Sequence, residues 1–219
     1  VGPSESMSKS KKNVIDPENI INDYGADSVR LFILSDSPPE KDVQWSDQGM
    51  ASSYKFVQKL WMLHLQIKNK LSGEGRQIPE NLELNKFTNQ LIYKITNNLE
   101  SFSYNVIIAN MYETYNFLIK HIKNDINQKD LLNNYTKILI LFSPIIPHLT
   151  NECLLDIGSN NKLDWPLANK EYLKNENLDY VIQINGKKRL IINAQADLSE
   201  DKILNIAKKE KLLDKYLNN

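Results

Sequence analysis

The chain has 219 residues, of which 41% are apolar, and its 27 basic side chains balance 27 acidic ones. This length allows one large domain or two small ones, and the balanced charge means that any polyanion site has to be a local patch. A single cysteine, Cys153, excludes a disulfide framework and a multi-cysteine zinc site. We also find no apolar run of about 18 residues and no signal-peptide pattern, so we expect neither a membrane span nor secretion.

The N-terminal stretch SESMSKSKKN places hydroxyl and ammonium groups in tight alternation from Ser8 through Lys9 and Ser10 to Lys11. Such groups suit a phosphate, because lysine presents a compact positive charge and a flexible loop can close when a nucleotide binds. The alternative is a solvated polar tail, because short lysine–serine strings are common at disordered chain ends. The spacing alone leaves both interpretations open.

Two short helices are predicted next. Asp16 is placed to cap the first, Pro17 suits its first position, and Gly25 can end it in a left-handed conformation. The second helix is predicted over residues 26–34, with Val29, Ile33 and Leu34 as its apolar residues. The Ser37–Pro38–Pro39 sequence then ends helical structure, because proline lacks an amide hydrogen and restrains the residue before it.

A long amphipathic helix is predicted from Ser46 or Asp47 onwards. Its expected apolar face consists of Phe56, Val57, Leu60, Leu63, Leu65 and Ile67. After a glycine-rich loop at 72–79, we predict helices over 83–102 and 104–123, the second with its apolar residues at helical spacing. A further helix follows, then a break at Pro144–Pro147 and a helix that ends near Gly158.

After about residue 160 the helical spacing of apolar residues gives way to a pattern typical of β-strands. Tyr180, Ile182 and Ile184 alternate with other side chains, and the Asn185–Gly186 pair is a strong hairpin signal, so residues 180–195 are predicted to form a β-hairpin. A last helix is expected behind Ser199 as its cap. The sequence therefore predicts a mainly α fold, with short helices, a helical bundle and a small α/β unit.

The motif MSKSKKNVIDPENIINDYGADSVRLF resembles the signature-loop region of class I aminoacyl-tRNA synthetases. That family usually carries Lys-Met-Ser-Lys-Ser, so Ser6 stands where the first lysine is expected and Lys9 matches the second. The resemblance implies that Lys9 is a catalytic residue on the phosphates of ATP and that Ser8 and Ser10 complete the ATP-binding loop. Lys11 or Lys12 is a candidate to replace the lysine absent at Ser6.

The segment SDSPPEKDVQWSDQGMASSYKFVQKLW is similar to the corresponding part of bacterial-type leucyl-tRNA synthetases. FSPIIPHLTNECLLDIG and the later DWP resemble their anticodon-binding helical domain, and VIQINGKKRLIINA resembles their small C-terminal domain. Isoleucyl enzymes often carry a C-terminal cysteine zinc site and valyl enzymes usually end in a coiled coil. Methionyl enzymes lack the Ser-Pro-Pro and Val-Gln-Trp-Ser pattern, so leucyl is the best match.

This resemblance implies three parts: a signature ATP loop with connecting helices at 1–45, an anticodon-binding bundle at 46–160, and a linker with a truncated tRNA-binding domain at 161–219. We therefore expect a C-terminal fragment of a monomeric, cytoplasmic leucine–tRNA ligase. The whole enzyme would use ATP with Mg²⁺, leucine and tRNA(Leu), whereas the fragment would hold no metal and would be inactive alone. A free-standing helical tRNA-binding module without catalysis, a structural adaptor, and another class I synthetase remain the alternatives.

Lys187, Lys188 and Arg189 follow the predicted hairpin turn and form the centre of the most basic region of the chain. The further lysines of this region are Lys202, Lys208, Lys209 and Lys211. Phosphate contacts from such residues give affinity for tRNA without base specificity, so the three turn residues are candidate tRNA-binding residues. The alternative is a solvated charged face, which most charge runs are.

The remaining conspicuous side chains are predicted to be structural. We expect packing roles for the three tryptophans, a buried apolar environment for Cys153, and no catalytic role for the histidines at 64, 121 and 148. Arg30 is predicted to form a structural ion pair, with Asp27 as its partner by helical spacing.

Overall fold

The computed structural model describes residues 5–35, 38–73, 78–159, 164–173, 177–184, 186–195 and 198–210. Its α-helices are α1 (Pro17–Tyr24), α2 (Ala26–Ser35), α3 (Asp47–Leu71), α4 (Leu82–Glu100), α5 (Tyr104–His121), α6 (Gln128–Phe142), α7 (Pro147–Asp156) and α8 (Glu200–Lys208). The strands are β1 (Asn177–Ile184) and β2 (Lys187–Gln195), and short 3₁₀ helices occupy Lys9–Lys11 and Lys170–Leu173. The predicted fold class, mainly helical with one β-hairpin, is confirmed.

Local capping chemistry starts α1 and α3 as predicted. An Asp16 carboxylate oxygen accepts a hydrogen bond of 3.0 Å from the Glu18 amide, and the Ser46 hydroxyl accepts one of 3.1 Å from the Gly49 amide. Gly25 ends α1 with φ of 78° and ψ of 151°. Its φ is positive as expected, but its ψ lies outside the left-handed helical region.

The α6–α7 break also follows the sequence signals. Helix α6 ends at Phe142 and α7 starts with Pro147 in its first position. At the other end of α7, Gly158 has a φ of 74° and the Ser159 amide donates to the Leu154 carbonyl at 2.8 Å. This hydrogen bond satisfies a carbonyl that the end of a helix would otherwise leave free.

Helices α2 to α7 bury one continuous apolar core. Its most completely buried large side chains are Leu31, Ile67, Leu84, Ile92, Ile95, Ile107, Met111, Leu118, Leu131, Ile138 and Leu141. Two residues predicted on apolar faces are instead exposed, Ile33 by 47% and Leu65 by 38%. In α2 the buried side belongs to Leu31 and Phe32, because helical spacing defines a stripe but the packing partner decides which stripe is covered.

The hairpin pairs β1 antiparallel to β2, with a bulge between Ile182 and Gln183. Ile192 and Ala194 are buried together with Ala207 of α8, so one face of the hairpin is covered by this helix. Ser199 occupies the N-cap position of α8, but its side chain makes no capping hydrogen bond. Asn185 of the predicted turn lies outside the described residues, whereas Gly186 has a φ of 73°.

The chain divides into two compact units, Val1–Asn169 and Lys170–Asn219. The division into parts at 1–45, 46–160 and 161–219 stays a prediction. Within the described ranges, no helix combines the length and the apolar composition required to cross a membrane.

Candidate functional site

The predicted phosphate loop forms a single 3₁₀ turn at Lys9–Lys11. Ser8 has extended backbone before this turn, and its hydroxyl accepts a hydrogen bond of 3.3 Å from the Lys11 amide. The Ser8 and Ser10 hydroxyl oxygens are 3.1 Å apart. The turn therefore brings together the two serines that the sequence selected, with Ser10 exposed and Ser8 partly buried.

Asn13 closes this loop, which sequence reasoning missed. Its side-chain oxygen accepts from the Ser8 amide at 2.8 Å, and its side-chain nitrogen donates to the Ser6 carbonyl at 3.3 Å. Lys12 next to it adopts a positive φ of 54°. An asparagine shortly after a polar turn is a usual sign of side-chain-to-backbone closure, and this was the available signal.

The lysines of the loop differ in their electrostatic surroundings. The Lys11 ammonium lies 2.7 Å from a Glu5 carboxylate oxygen, and both side chains are largely exposed, so this ion pair contributes little stability. Lys9 and Lys12 are exposed and make no side-chain hydrogen bond or ion pair within the described part of the chain. Lys9 therefore carries an exposed positive charge without a carboxylate partner in the described part of the chain, and it lies between two serines in the sequence. Ammonium and hydroxyl groups are donors suited to an anionic oxygen group.

The described residues contain no group of three or more histidine, cysteine, aspartate or glutamate side chains that could hold a metal ion. Glu5, the carboxylate nearest to the turn in sequence, is engaged with Lys11.

Helix α2 contacts the α6–α7 turn and the start of α7 through two polar side chains. The prediction of an Asp27–Arg30 ion pair is wrong. Arg30 donates instead to two carbonyl oxygens of the α6–α7 turn, through Nε to Ile145 at 2.9 Å and through Nη2 to Pro144 at 2.6 Å. The Asp27 carboxylate accepts hydrogen bonds from two amides in the first turn of α7.

Asp27 is 6% exposed. One of its oxygens accepts from the His148 amide at 3.3 Å and the other from the Leu149 amide at 2.6 Å. Helix packing, which brings residues more than a hundred positions apart into contact, therefore overrides the local spacing that suggested a pair within α2.

A second polar cluster lies inside the bundle. His64 is fully buried, with Nδ1 3.1 Å from the Tyr135 hydroxyl and Nε2 2.9 Å from an Asp156 carboxylate oxygen. Lys68 donates to the other Asp156 oxygen at 2.5 Å. Hydrogen bonds from Lys68 and then His64 lower the pKa of Asp156. The cluster joins α3, α6 and α7 and does not meet the loop, so its geometry is structural.

The other conspicuous side chains also have structural partners. Trp61 stacks on His64 with ring centroids 5.2 Å apart, and the Trp165 indole nitrogen donates to the Thr96 hydroxyl at 2.9 Å. Trp45 meets the edge of the Phe32 ring. The three tryptophans thus pack against other side chains, as the sequence indicated.

The predicted tRNA-binding residues lie at the start of β2. Lys187 and Lys188 are exposed and pair with Ile184 and Gln183 of β1, while Arg189 is partly buried at the bulge. Lys202, Lys208 and Lys209 are exposed on or next to α8 in the same unit, and Lys211 lies outside the described residues.

Comparison with known proteins gives two family matches. Residues 81–210 match the family described as the anticodon-binding domain of tRNA ligase. Residues 3–46 match the class I tRNA synthetases for I, L, M and V. The phosphate loop thus lies in the second match, and most of the helical bundle lies in the first.

Leucine–tRNA ligases are among the similar curated proteins. That of Prochlorococcus marinus (strain MIT 9312) is 37% identical over 203 residues, which cover 91% of this chain and 24% of the relative. That of Bartonella tribocorum is 35% identical over 214 residues, which cover 93% of this chain and 24% of the relative. The chain therefore spans about a quarter of the length of these relatives, and the resemblance to leucyl enzymes is confirmed.

A solved structure shows the same likeness. The ternary complex of the Agrobacterium radiobacter K84 agnB2 LeuRS with tRNA and LeuAMS matches with a TM-score of 0.83 and 25% sequence identity. The match covers 97% of this chain and 29% of that one.

Proposed function

Since the chain belongs to the family of anticodon-binding domains of tRNA ligases, we propose that it is part of a leucine–tRNA ligase. Such an enzyme activates leucine with ATP and transfers the leucyl group to tRNA(Leu). The observation that supports this proposal is the free Lys9 ammonium on a serine-flanked turn, within the segment that matches class I synthetases. The leucyl relatives extend that support to the amino acid.

In this proposal Lys9 contacts the phosphates of ATP and acts as the catalytic residue of the chain. Attack of the leucine carboxylate on the α-phosphate releases pyrophosphate, and an ammonium group close to that leaving group stabilises the charge that develops on it. Ser8 and Ser10 donate hydroxyl hydrogen bonds to the same phosphates. Their positions depend on the Asn13 bridge, which holds the two ends of the turn together.

Mg²⁺ would enter with the phosphates of ATP, since the described residues offer no metal-ligand group of their own. We further propose that the enzyme acts in the cytoplasm as a monomer and that the helical bundle and the hairpin unit bind tRNA(Leu). The 219-residue chain alone is expected to lack aminoacylation activity.

The test is leucine-dependent ATP–pyrophosphate exchange by the full-length protein that contains this chain. Lys9→Gln is expected to lower kcat by about 10²–10³-fold, the usual effect of removing one transition-state donor. Lys123→Gln, at an exposed lysine outside the loop, is the matched control and should retain activity. Normal exchange by Lys9→Gln would refute the role of Lys9. Absence of exchange in the unmutated protein, with tRNA binding retained, would favour a binding module instead.

The tRNA contact at the hairpin has its own test. Replacing Lys187 and Lys188 together by alanine in the full-length protein should weaken tRNA binding and reduce the slope of affinity against salt by about one to two units. Lys187→Arg together with Lys188→Arg keeps the positive charge at the same two positions and should leave that slope unchanged. An unaltered slope in the hairpin variant would show that this turn is only a solvated charged face.

A further inference from the structure

The turn between α6 and α7 is held by α2 from both of its ends. Arg30 donates to the carbonyls of Pro144 and Ile145, which lie where α6 has ended. Both carbonyls lie between the two helices and within neither, and a guanidinium supplies donors in a fixed geometry that matches two acceptors at once. The Arg30 fork therefore fixes the direction of α2 as well as its distance from the turn.

Asp27 accepts hydrogen bonds from the amides at the beginning of α7, whereas Arg30 donates to carbonyls of the turn. The N-cap residue Ile146 offers no side-chain acceptor, and Pro147 has no amide hydrogen. The next two amides, of His148 and Leu149, both donate to the Asp27 carboxylate. A carboxylate at this position also interacts favourably with the positive end of the helix, so α2 supplies the missing cap of α7.

Asp27 and Arg30 are three positions apart and therefore lie on one face of α2. Towards the N-terminus, α2 is joined through Gly25 to α1. The phosphate loop directly precedes α1, which is capped by Asp16. A ring contact of 5.7 Å between Tyr24 and Tyr54 provides another attachment, from the end of α1 to α3. Along the chain the loop is thus joined to the bundle through α1 and then α2, and α1 also contacts α3.

We infer that Asp27 and Arg30 are positioning residues for the ATP step: they clamp α2 to the α6–α7 turn and thereby hold the phosphate loop at a fixed place on the helical bundle. The expected kinetic effect rests on the proposed function, whereas the attachment of α2 to the α6–α7 turn by Asp27 and Arg30 does not depend on it. Displacement of α2 would move Lys9 relative to the ATP phosphates without altering any group that touches ATP or leucine. Small displacements of this kind cost large factors in rate.

The clamp is tested on the 219-residue chain by amide hydrogen exchange. In Asp27→Asn and Arg30→Lys, exchange of amides in residues 17–35 should accelerate roughly tenfold, because each change removes part of the attachment that opposes local opening. Amides of α4 and α5 should keep their protection. Asp23→Asn on α1, where the side chain is exposed, is the matched control and should exchange like the unmutated chain. Unchanged exchange in residues 17–35 in both clamp variants would overturn the inference.

The kinetic consequence is tested in the full-length protein by leucine-dependent pyrophosphate exchange. Both clamp variants should lower kcat/KM for ATP by roughly tenfold, through kcat and the KM for ATP together, while the KM for leucine stays within about twofold. Loss of folded protein would lower kcat and leave both KM values unchanged. That result, an equal change in the two KM values, or no change would overturn the positioning role. If the unmutated protein shows no exchange with leucine, the proposed function fails, and hydrogen exchange still decides whether the clamp exists.

Discussion

The environment of Cys153 shows how completely burial can determine the chemistry of one residue. The side chain is 1% exposed, and this burial raises the pKa of its thiol to about 12. Only the thiolate is nucleophilic, so a thiol that remains protonated at neutral pH is inert. The expectation from sequence, a small buried side chain without a reactive role, agrees with this position.

We therefore predict that Cys153 does not react with a thiol-specific reagent such as DTNB at pH 8 while the chain is folded. At that pH a pKa near 12 leaves about 10⁻⁴ of the thiol ionised, against about a quarter for an unperturbed cysteine. The measurement is the labelling rate by absorbance, with the urea-unfolded chain as control, which should react rapidly. Comparable rates in the two states would contradict the buried position.

At the level of the helices, caps and close contacts decide where each element begins and how near it lies to its neighbour. Gly49 in the first turn of α3 shows how a small residue sets the distance between two helices. A Cβ atom at this position would lie 2.8 Å from Cε2 of Phe32, whose ring is buried and also meets the edge of Trp45. The glycine therefore permits the close approach of α2 and α3.

Gly49→Ala is predicted to destabilise the chain. Forcing a methyl group against a buried ring costs about 1–3 kcal/mol, whereas the better helix propensity of alanine returns about 1 kcal/mol, so the net loss should be roughly 1 kcal/mol. Urea unfolding monitored by circular dichroism measures this difference. Gly73→Ala is the control, since a Cβ there meets only ordinary contacts of 3.6 Å or more. A stabilised Gly49→Ala variant would contradict this prediction and show that the Phe32 ring can shift to make room for the methyl group.

For the molecule as a whole, long-range polar contacts join the helices that the apolar core packs together. Asp156 at the end of α7 meets both His64 and Lys68 of α3, and His64 also meets Tyr135 of α6. Hydrogen bonding to Lys68 first and His64 second lowers the pKa of Asp156 from its ordinary value of 3.8. In the folded state the carboxylate therefore releases its proton more readily than in the unfolded state.

This difference predicts how stability depends on pH. Because the folded pKa is the lower one, the contribution of Asp156 is complete above the unfolded pKa and is lost as the pH falls through the folded value, below about pH 4. Between about pH 5 and pH 3 the free energy of unfolding should fall more steeply in the unmutated chain than in Asp156→Asn. Urea titrations across this range provide the measurement, and Asp23→Asn should keep the steeper slope. Equal slopes in all three proteins would contradict the role of Asp156.

The sequence by itself determined the α-helices and strands of this protein, and it selected the residues that its first turn groups together. Capping by Asp16 and Ser46, the break before Pro147 and the positive φ of Gly158 all arise from interactions within a few residues, and these could be read along the chain. Lys9 with its flanking serines could be selected in the same way, since the turn that groups them is local.

Only the tertiary structure decided which distant groups those elements bring together. It turned Arg30 towards carbonyls more than a hundred residues away, and it gave His64 its partners on two other helices. It also left Ile33 and Leu65 exposed on helices whose apolar patterns were otherwise correct. The physical reason is that a cap or a turn is satisfied by its own neighbours, whereas burial and long-range hydrogen bonds depend on how whole helices pack.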